Sequence, residues 1–477
     1  MRSLVSCRAG RQVVGRAIWQ YNRIMKRKSQ VLLVNPWIYD FAAYNVWIEP
    51  LGLLTIAAVL AENGYGVTVI DCLAPDPGNL RSRPDGSGKL PKTFVAKPEP
   101  LAFVPRRFGR YGLPLTLFDA ALQAVPSPDL VLVATGMTYW YPGVCAAIER
   151  IRTRFGSIPL ALGGVYATLC PDHASRYSGA DRVIEGPGVV AALGLADEVT
   201  GQDSAASRYA DPKAWPMPAH HLVPRRYAGL ITSWGCPYHC TYCASHRLQP
   251  LYLQREPGMV AAEIAACTRQ GVRDLAFYDD ALLADGGQNL RSILAAVAER
   301  GSPVRFHTPN GLHAAPITAD LARAMRRAGF ATVRLSLETV DPDRQRLTGG
   351  KVTSGIFARA VANLQAAGFG PAELGAYILA GLPGQPLAEV EATVRWVQRL
   401  GVQAKLALFS PIPGTAEGDR ALPAGADPLL HNHTAYPYLL GPEYVRELER
   451  IKLLAKNSNA ALQREDMGCT AGPGGRA

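Results

Sequence analysis

The stretch Gly229–His246, GLITSWGCPYHCTYCASH, joins a short β-rich run to a loop that carries three cysteines. Cys236, Cys240 and Cys243 have the spacing C-x3-C-x2-C, whereas the other cysteines of the chain are widely scattered. Disulfides, zinc, an iron–sulfur cluster and chance clustering could each account for three thiols so close together. The rest of the sequence helps to decide between them.

Length and composition indicate a soluble protein with more than one domain. A chain of 477 residues is too long for one ordinary core and predicts two domains of roughly 150 to 200 residues plus appendages. Apolar residues make up 48% of the chain, yet no apolar run approaches the roughly 20 residues that a membrane helix needs. Nine cysteines are few for this length, and no secretory segment is apparent. We therefore expect a cytoplasmic protein, in which disulfides are disfavoured.

The net charge of +11 is concentrated at the start of the chain, because residues 1–28 carry eight Lys or Arg and no acidic residue. This basic extension could be a targeting helix or a nucleic-acid arm. We favour a simpler interpretation, in which Met25 is the natural start. Since the remainder is only mildly basic, charge alone predicts neither a membrane nor a nucleic-acid partner.

From residue 29 to residue 200, short β-rich runs alternate with amphipathic patterns. This alternation is typical of a parallel sheet with crossover helices, and it predicts a doubly wound, Rossmann-like α/β domain. An insert at 73–114, rich in Pro, Gly and basic residues, interrupts the rhythm. The predicted strands are 31–35, 66–71, 130–135, 159–164 and 181–186, and the predicted helices are 51–63, 142–155 and 166–178.

A second β/α series follows a polar connection at 201–226. Six units over 227–425 predict a partial (β/α)6 barrel of the TIM type, in which chemistry collects at the carboxyl ends of the strands. An extension at 426–477 contains a predicted helix at 441–464. The predicted strands are 229–234, 274–280, 304–310, 332–339, 374–384 and 404–415.

The cysteine loop comes immediately after the first strand of this barrel. Structural zinc requires four closed ligands, usually from two paired knuckles, and no second pair of cysteines follows, although His239 or His246 could complete a site. Three thiolates on a strand-end loop suit a four-iron four-sulfur cluster that leaves one iron open to a small molecule. Zinc and chance clustering stay open as alternatives at this point.

The motif C-x3-C-x2-C, with the aromatic residue Tyr242 before its last cysteine, resembles the signature of the radical S-adenosylmethionine (radical SAM) superfamily. The resemblance implies that Cys236, Cys240 and Cys243 ligate the cluster, and that Tyr242 lies beside the cofactor. It also implies that the open iron chelates S-adenosylmethionine, whose cleavage yields methionine and a 5′-deoxyadenosyl radical. The cofactor then carries the chemistry, while the protein positions and shields it.

Two further strand ends could contact S-adenosylmethionine by the same resemblance. Asp279 and Asp280, which close FYDD, are placed to meet its ammonium group, although an aspartate there could equally cap a helix. Ser336 and Glu338 in RLSLET share one strand face by the period of two, so they could reach the ribose or the methionine end together.

The strand end in AYILAGLPG could support the adenine base. Ile378 and Gly381 match the apolar and glycine positions on which the family rests this base, and glycine permits a close backbone approach. Core packing explains Ile378 nearly as well.

The N-terminal half, over about 30–200, resembles the cobalamin-binding domain of cobalamin-dependent radical SAM enzymes. The resemblance rests on VLLVNPW, EPLGLLTIAAVLAENGYGVTVID, DLVLVATGMTYWYPG, LGGVYAT and DRVIEGPG. Open α/β sheets bind ligands at the carboxyl ends of their strands, and paired glycines would let the nucleotide tail of the cofactor approach the backbone. The candidate contacts at these ends are Asn35, Pro36, Thr135, Gly163, Gly164, Glu185 and Gly186.

Two departures from the cobalamin pattern are visible. The motif D-x-H-x-x-G is absent, since Asp172 and His173 are adjacent in PDHASRYSG, and this implies cobalt with no histidine below it. The ending EGPG replaces the usual G-E-G-E and puts Glu185 in doubt as a contact. A domain that merely packs on the barrel is the alternative.

The resemblance implies an enzyme that methylates an unactivated carbon of a small-molecule substrate, with an electron donor such as a flavodoxin or ferredoxin. One S-adenosylmethionine would methylate reduced cobalamin, and a second would yield the radical that abstracts hydrogen from substrate. A radical rearrangement or ring-forming reaction without methyl transfer is the main alternative. RNA modification is less favoured, because residues 426–477 offer no evident RNA-binding appendage. A non-catalytic cofactor sensor is a further, lower-ranked alternative.

Overall fold

The computed structural model describes residues 28–74, 83, 85–300 and 304–470, with side chains as far as residue 464. The expectations for the basic extension before Lys28 therefore lie outside the described residues. Two parallel sheets organise the chain, and helices cover them. The strands of these sheets are β1 (Gln30–Asn35), β2 (Gly66–Asp71), β3 (Leu130–Val133), β4 (Leu160–Leu162), β5 (Arg182–Val183), β6 (Tyr227–Leu230), β7 (Asp274–Phe277), β8 (Arg305–His307), β9 (Phe330–Glu338), β10 (Leu374–Ala380) and β11 (Gln403–Leu408).

The helices follow the strands in alternation through both halves of the chain. In chain order they are α1 (Leu51–Glu62), α2 (Leu115–Ala124), α3 (Tyr141–Phe155), α4 (Val165–Leu169), α5 (Pro171–Tyr177), α6 (Val189–Thr200), α7 (Ser245–Leu248), α8 (Pro257–Arg269), α9 (Gln288–Ala298), α10 (Ala319–Ala328), α11 (Pro342–Leu347), α12 (Ser354–Ala366), α13 (Leu387–Arg399), α14 (Ala416–Ala421), α15 (Tyr436–Leu439) and α16 (Pro442–Thr470).

The N-terminal sheet is a five-stranded parallel sheet of order β5-β4-β3-β1-β2, which confirms the doubly wound arrangement. The interior strand β1 is buried on both faces because Val31 to Val34 are all apolar, as expected where helices cover both sides of a parallel sheet. From β1 the chain adds β2 on one side and then β3 on the other, so the strand order reverses between β1 and β3. A crevice therefore opens at the carboxyl ends of these two strands.

One predicted helix, 166–178, is wrong as a single element. The structure has the two short helices α4 and α5, which meet at Cys170 (φ −135°, ψ 52°). Pro171 explains the break, because a proline disfavours helical backbone at the preceding residue and donates no hydrogen bond itself.

The second sheet has six parallel strands in sequential order from β6 to β11, which confirms the partial barrel. The first predicted strand, 229–234, is divided in the structure. Tyr227–Leu230 joins the barrel, whereas Ser233–Trp234 pairs antiparallel with Leu253–Gln254. At the opposite edge α16 covers β11, where the side chain of Asn459 hydrogen-bonds the backbone N–H and C=O of Ala404 at 2.9 and 2.8 Å. This contact occupies backbone groups of an edge strand.

A loop of the N-terminal region enters the barrel. Trp47 stacks on His307 with ring centroids 3.8 Å apart, and its Nε1 donates to the Asp85 carbonyl at 2.9 Å. The hydroxyl of Tyr278 donates to the carbonyl of Val46 at 2.6 Å. The loop before α1 is thus fixed to the barrel interior. Among the described residues, no helix is both long and apolar enough to cross a bilayer.

Candidate functional site

The cysteine loop starts from a rigid point at the end of β6. Asp279, just beyond β7, is buried, and its Oδ1 accepts hydrogen bonds from both the backbone N–H and the hydroxyl of Thr232 and of Ser233, at 2.6 to 2.9 Å. Burial raises the pKa of Asp279 to about 6, against these hydrogen bonds, which lower it. One carboxylate oxygen therefore fixes the two residues that lead into the loop. Asp280, the other aspartate predicted here, is exposed.

The three predicted cluster ligands lie on this loop as free thiols. The N–H of Cys243 donates to the carbonyl of Cys240 at 3.0 Å, and the N–H of Ser245 donates to the sulfur of Cys243 at 3.5 Å. Burial raises the pKa of Cys236 to about 11 and also raises that of Cys240. Forming the thiolates at these positions therefore costs desolvation free energy, which binding to iron ions would offset. Within the described ranges, no group of three His, Cys, Asp or Glu residues is arranged to hold a single metal ion.

A glycine lets the neighbouring loop approach the cysteines. Gly349 has φ +125°, and a Cβ added there would lie 3.3 Å from Cα and 3.5 Å from the sulfur of Cys240. The backbone at Gly349 therefore lies close against one side of the Cys240 thiol. The donor set, the strand-end position and this cover all fit a four-iron four-sulfur cluster.

A buried ion pair that the sequence did not reveal lies beside the thiols. Nζ of Lys351 is 2.7 Å from Oε1 of Glu338, and both side chains are 12% exposed. The same ammonium lies 5.7 Å from the ring centroid of Tyr242. Burial alone would lower the pKa of Lys351, but Glu338 and the cysteines raise it, so the side chain stays cationic. Glu338 has φ +67°, an uncommon backbone conformation for a residue other than glycine.

Ser336 and Glu338, which were predicted to reach one ligand together, meet different partners in the structure. The pairing of β9 with β10 shifts between Ser336 and Glu338, so the two side chains do not follow a simple alternation. Ser336 faces Gly311, where its hydroxyl lies 2.2 Å from the position of an added Cβ. It thus lies inside the barrel, whereas Glu338 turns to Lys351.

The structure places the two residues predicted to support adenine in different surroundings. Ile378 is fully buried in the core between the sheet and its helices, so only its backbone could meet a ligand at the barrel mouth. Gly381 has φ +105°, and the residues that approach it are Tyr444 and Phe409. Its N–H donates to Oε1 of Gln385 at 3.0 Å. The glycine therefore serves a close contact within the protein.

A cavity of about 440 Å³ lies at the carboxyl edge of the N-terminal sheet. Residues of the cysteine-loop side, Ile231, Trp234 and Gln249, complete its wall. Most of the predicted strand-end residues line it, namely Asn35, Pro36, Thr135, Gly163, Gly164 and Gly186.

Glu185 is the exception among the predicted cavity residues. It is exposed, and its neighbours Ile184 and Gly186 line the cavity instead. β5 ends at Val183 and not at residue 186 as expected, so Glu185 lies in a loop, where its side chain turns outward between two cavity residues.

The cavity wall is largely apolar and rich in glycine. Added Cβ atoms at Gly52 and Gly186 would have no neighbour within 4 Å, so both positions open into free space. A large ring with a nucleotide tail fits such a surface, because pockets for organic cofactors combine apolar walls with a few polar groups at strand ends.

Polar networks behind the wall fix its shape. Nδ2 of Asn35 donates to Oδ1 of Asp71 at 2.7 Å, and Oδ2 of Asp71 accepts from the buried guanidinium of Arg225. On the opposite wall, Nε1 of Trp140 donates to Asp40 at 2.9 Å, and the other oxygen of Asp40 accepts from Asn432 at 2.9 Å. The segment after the barrel thus holds a cavity residue in place.

The comparisons with known proteins agree with this geometry. Residues 230–397 match the family model of the radical SAM superfamily. The chain contains a radical SAM domain. Such a domain implies a four-iron four-sulfur cluster and S-adenosylmethionine, which agrees with the three free thiols at the end of β6.

More distant similarities extend beyond this domain. An uncharacterized methyltransferase of Pyrococcus horikoshii is 23% identical over 319 residues, which cover 60% of this chain and 68% of that protein. The radical SAM methyltransferase TsrM of Kitasatospora setae, solved with tryptophan and a SAM analogue, superposes with a TM-score of 0.60 at 19% identity, over 83% of this chain and 76% of that one. The cobalamin-dependent radical enzyme OxsB gives a TM-score of 0.57 at 13% identity, over 90% and 57%. At these identities the two structures establish a shared fold.

Proposed function

We propose that the protein is a cobalamin-dependent radical SAM methyltransferase that acts on an unactivated carbon of a small molecule. The observation that carries the proposal is the shared wall between the two candidate sites. Ile231 and Trp234 line the cavity, and the same segment continues within two residues of Trp234 to Cys236. A cofactor in the cavity would therefore lie next to the cysteine loop.

The residues have separate roles in this proposal. Cys236, Cys240 and Cys243 would hold the cluster, while Asp279 fixes the start of their loop through Thr232 and Ser233. When bound, cobalamin would supply a carrier for the methyl group of S-adenosylmethionine. The glycines and apolar side chains at the N-terminal strand ends would hold its ring and tail.

The surroundings also protect reactive species from solvent. Tyr242 packs with Leu379, Phe409 and Tyr436 in an apolar cluster at the barrel mouth, beside the ion pair of Lys351. An organic radical abstracts hydrogen from whatever C–H bond it meets, so excluding water and mobile side chains is a requirement of the reaction.

The test is anaerobic incubation of the reconstituted protein with cobalamin, a strong reductant and S-adenosylmethionine labelled with ¹³C in its methyl group. We expect label in the corrinoid fraction before any substrate is added, and label in product once a substrate is found. A protein that binds corrinoid and forms 5′-deoxyadenosine but never transfers label would instead be a rearrangement or ring-forming enzyme. A protein that binds both cofactors and does neither would be a sensor.

A further inference from the structure

A buried ionic network connects the cavity to the strand that leads into the cysteine loop. His220, in the segment between the two sheets, places Nδ1 3.0 Å from Oε1 of Glu49 and Nε2 3.1 Å from Oε1 of Glu263. Arg255 donates from Nη2 to Oε2 of Glu263 at 2.6 Å. The side chains of these four residues are at most 9% exposed. We call them the His220 network.

The geometry fixes the charge of the histidine. Both ring nitrogens face carboxylate oxygens, which only accept hydrogen bonds, so both nitrogens must carry protons. Burial alone would lower the pKa of His220, but hydrogen bonds with Cys267, Glu263 and Glu49 raise it to about 12. The network therefore holds two anions and two cations, and its charge is balanced.

The network hydrogen-bonds the backbone of strand β6 and of the segment that follows it. Oε2 of Glu49 accepts the N–H of Gly229 at 2.8 Å. Nη1 of Arg255 donates to the carbonyl of Ile231 at 2.6 Å, and its backbone N–H donates to the carbonyl of Thr232 at 2.9 Å. These contacts lie on both sides of the strand end that continues to the cysteines.

The same network holds the other side of the cavity. Glu49 itself lines the cavity, as do its neighbours Ile48, Pro50 and Leu51. An added Cβ at Gly229 would lie 3.0 Å from Cδ1 of Leu51, so α1 packs directly on β6. Glu49 thus belongs to the cavity wall of the N-terminal region and to the anchor of the cysteine loop at once.

We infer that Glu49 and His220 are positioning residues that set the separation and orientation of the corrinoid cavity relative to the cysteine loop. This inference rests on the proposed function, because it assigns the network a role in a reaction between two cofactors. Neither residue contacts the reacting atoms in this account. Loss of one charge would leave a buried partner unbalanced and let the cavity wall move away from the strand.

The test compares wild type, H220Q, E49Q and the double variant H220Q/E49Q, each reconstituted with cluster and cob(II)alamin. The measurement is the magnetic interaction between the reduced cluster and cob(II)alamin in electron paramagnetic resonance, with iron and corrinoid contents determined on the same samples. We expect H220Q to bind corrinoid about tenfold more weakly. Its magnetic interaction should be weaker and should show a broader distribution of strengths. In the double variant one cation and one anion are removed together, so we expect both values to return toward wild type.

The matched control is R344Q. Arg344 forms a partly buried ion pair with Glu389 at 2.8 Å within the radical SAM domain, away from the residues that line the cavity. Its loss should lower stability without changing the magnetic interaction. Equal changes in H220Q and R344Q would mean a merely structural role and would overturn the inference, as would an unchanged interaction in H220Q at full cofactor content.

A second measurement needs no corrinoid. Hydrogen–deuterium exchange on the cluster-loaded protein should show faster exchange in H220Q than in wild type at both 48–53 and 229–240, whereas R344Q should leave these segments unchanged. If wild type binds no corrinoid, the proposed function fails by that result alone. Unchanged exchange in H220Q and E49Q would instead refute the positioning role. If H220Q does not fold, E49Q alone decides the test, because it keeps the side-chain size and an acceptor for the N–H of Gly229.

Discussion

The two sheets present different chemistry at the same kind of edge. At the carboxyl edge of the N-terminal sheet, glycines and apolar side chains surround a cavity, and the charged groups Asp71 and Arg225 lie behind its wall. At the mouth of the barrel, the buried charges of Glu338 and Lys351 lie beside free thiols. Parallel β/α folding places both sites, but it does not decide what they bind.

If the proposed function holds, this difference predicts two modes of cofactor recognition. A glycine-lined surface selects a large ring by shape and by backbone contact, so it should respond to changes in volume. A mouth with paired charges stabilises ions, so it should respond to changes in charge. The predictions below test whether each site responds in its own way.

The largest expected effect is on iron content. Replacing Cys236, Cys240 and Cys243 together by alanine removes every proposed thiolate ligand, and we expect anaerobically reconstituted protein to lose essentially all iron and sulfide. Corrinoid binding should survive within about threefold, because the cavity wall contains none of these residues. Full iron retention, or zinc in place of iron in the wild type, would refute the cluster assignment.

The next effect is on corrinoid affinity and depends on volume. Gly52 lines the cavity on α1, and a side chain there would enter open space, so G52W should weaken corrinoid binding by about a hundredfold or more while iron content stays unchanged. The matched control is G194W on α6, where an added Cβ also meets nothing within 4 Å and which does not line the cavity. Equal affinity of the two variants, measured by corrin absorption, would exclude this cavity as the site.

The sequence predicted the strand ends well because β/α alternation sets them with little dependence on tertiary detail. Asn35, Thr135 and Gly163 all line the cavity. Glu185 is exposed although Ile184 and Gly186 on either side of it line the cavity, because the direction of a side chain beyond a strand end depends on the loop backbone. Strand alternation thus predicts which residues come near the cavity, but it does not predict where a side chain in a loop points.

Side chains on strands with two buried faces were harder to place. Ile378 and Leu379 are both apolar and adjacent on β10, and the sequence gives no sign of which one faces the helices. The structure puts Ile378 in the core between sheet and helices and Leu379 near Tyr242.

Long-range polar pairs were missed altogether. Lys351 follows Glu338 at a distance that no helix or strand period connects, and His220 lies in a segment that the sequence shows only as a connection. Such contacts form only in the folded chain, so local patterns carry no signal for them.

A smaller effect is expected on the redox behaviour of the cluster. Lys351 keeps a buried cation beside the thiols, and K351M removes it, so the reduction potential should fall on the order of 60 mV, equivalent to about 1.4 kcal/mol for one electron. K351R keeps the charge and should stay near wild type. Potentiometric titration followed by electron paramagnetic resonance measures the shift, and equal potentials in wild type and K351M would show that the barrel mouth is insensitive to charge.

The smallest effect concerns a charge deeper in the barrel. Burial and, to a lesser degree, the charges of Arg334 and Arg83 lower the pKa of Lys405 from 10.5 to about 8. Among the hydrogen bonds of the described residues, its ammonium donates only to the neutral Oε1 of Gln403, at 2.7 Å. Since the folded state releases this proton at lower pH than the unfolded state, the free energy of unfolding should rise between about pH 8 and pH 10.5 on this account. K405M should remove that rise and match or exceed the stability of wild type at pH 7, as judged by denaturant unfolding at several pH values. If the free energy of unfolding of the two proteins changes in parallel with pH, the barrel interior solvates this charge as well as water does. The difference in charge between the two sites would then be limited to the barrel mouth.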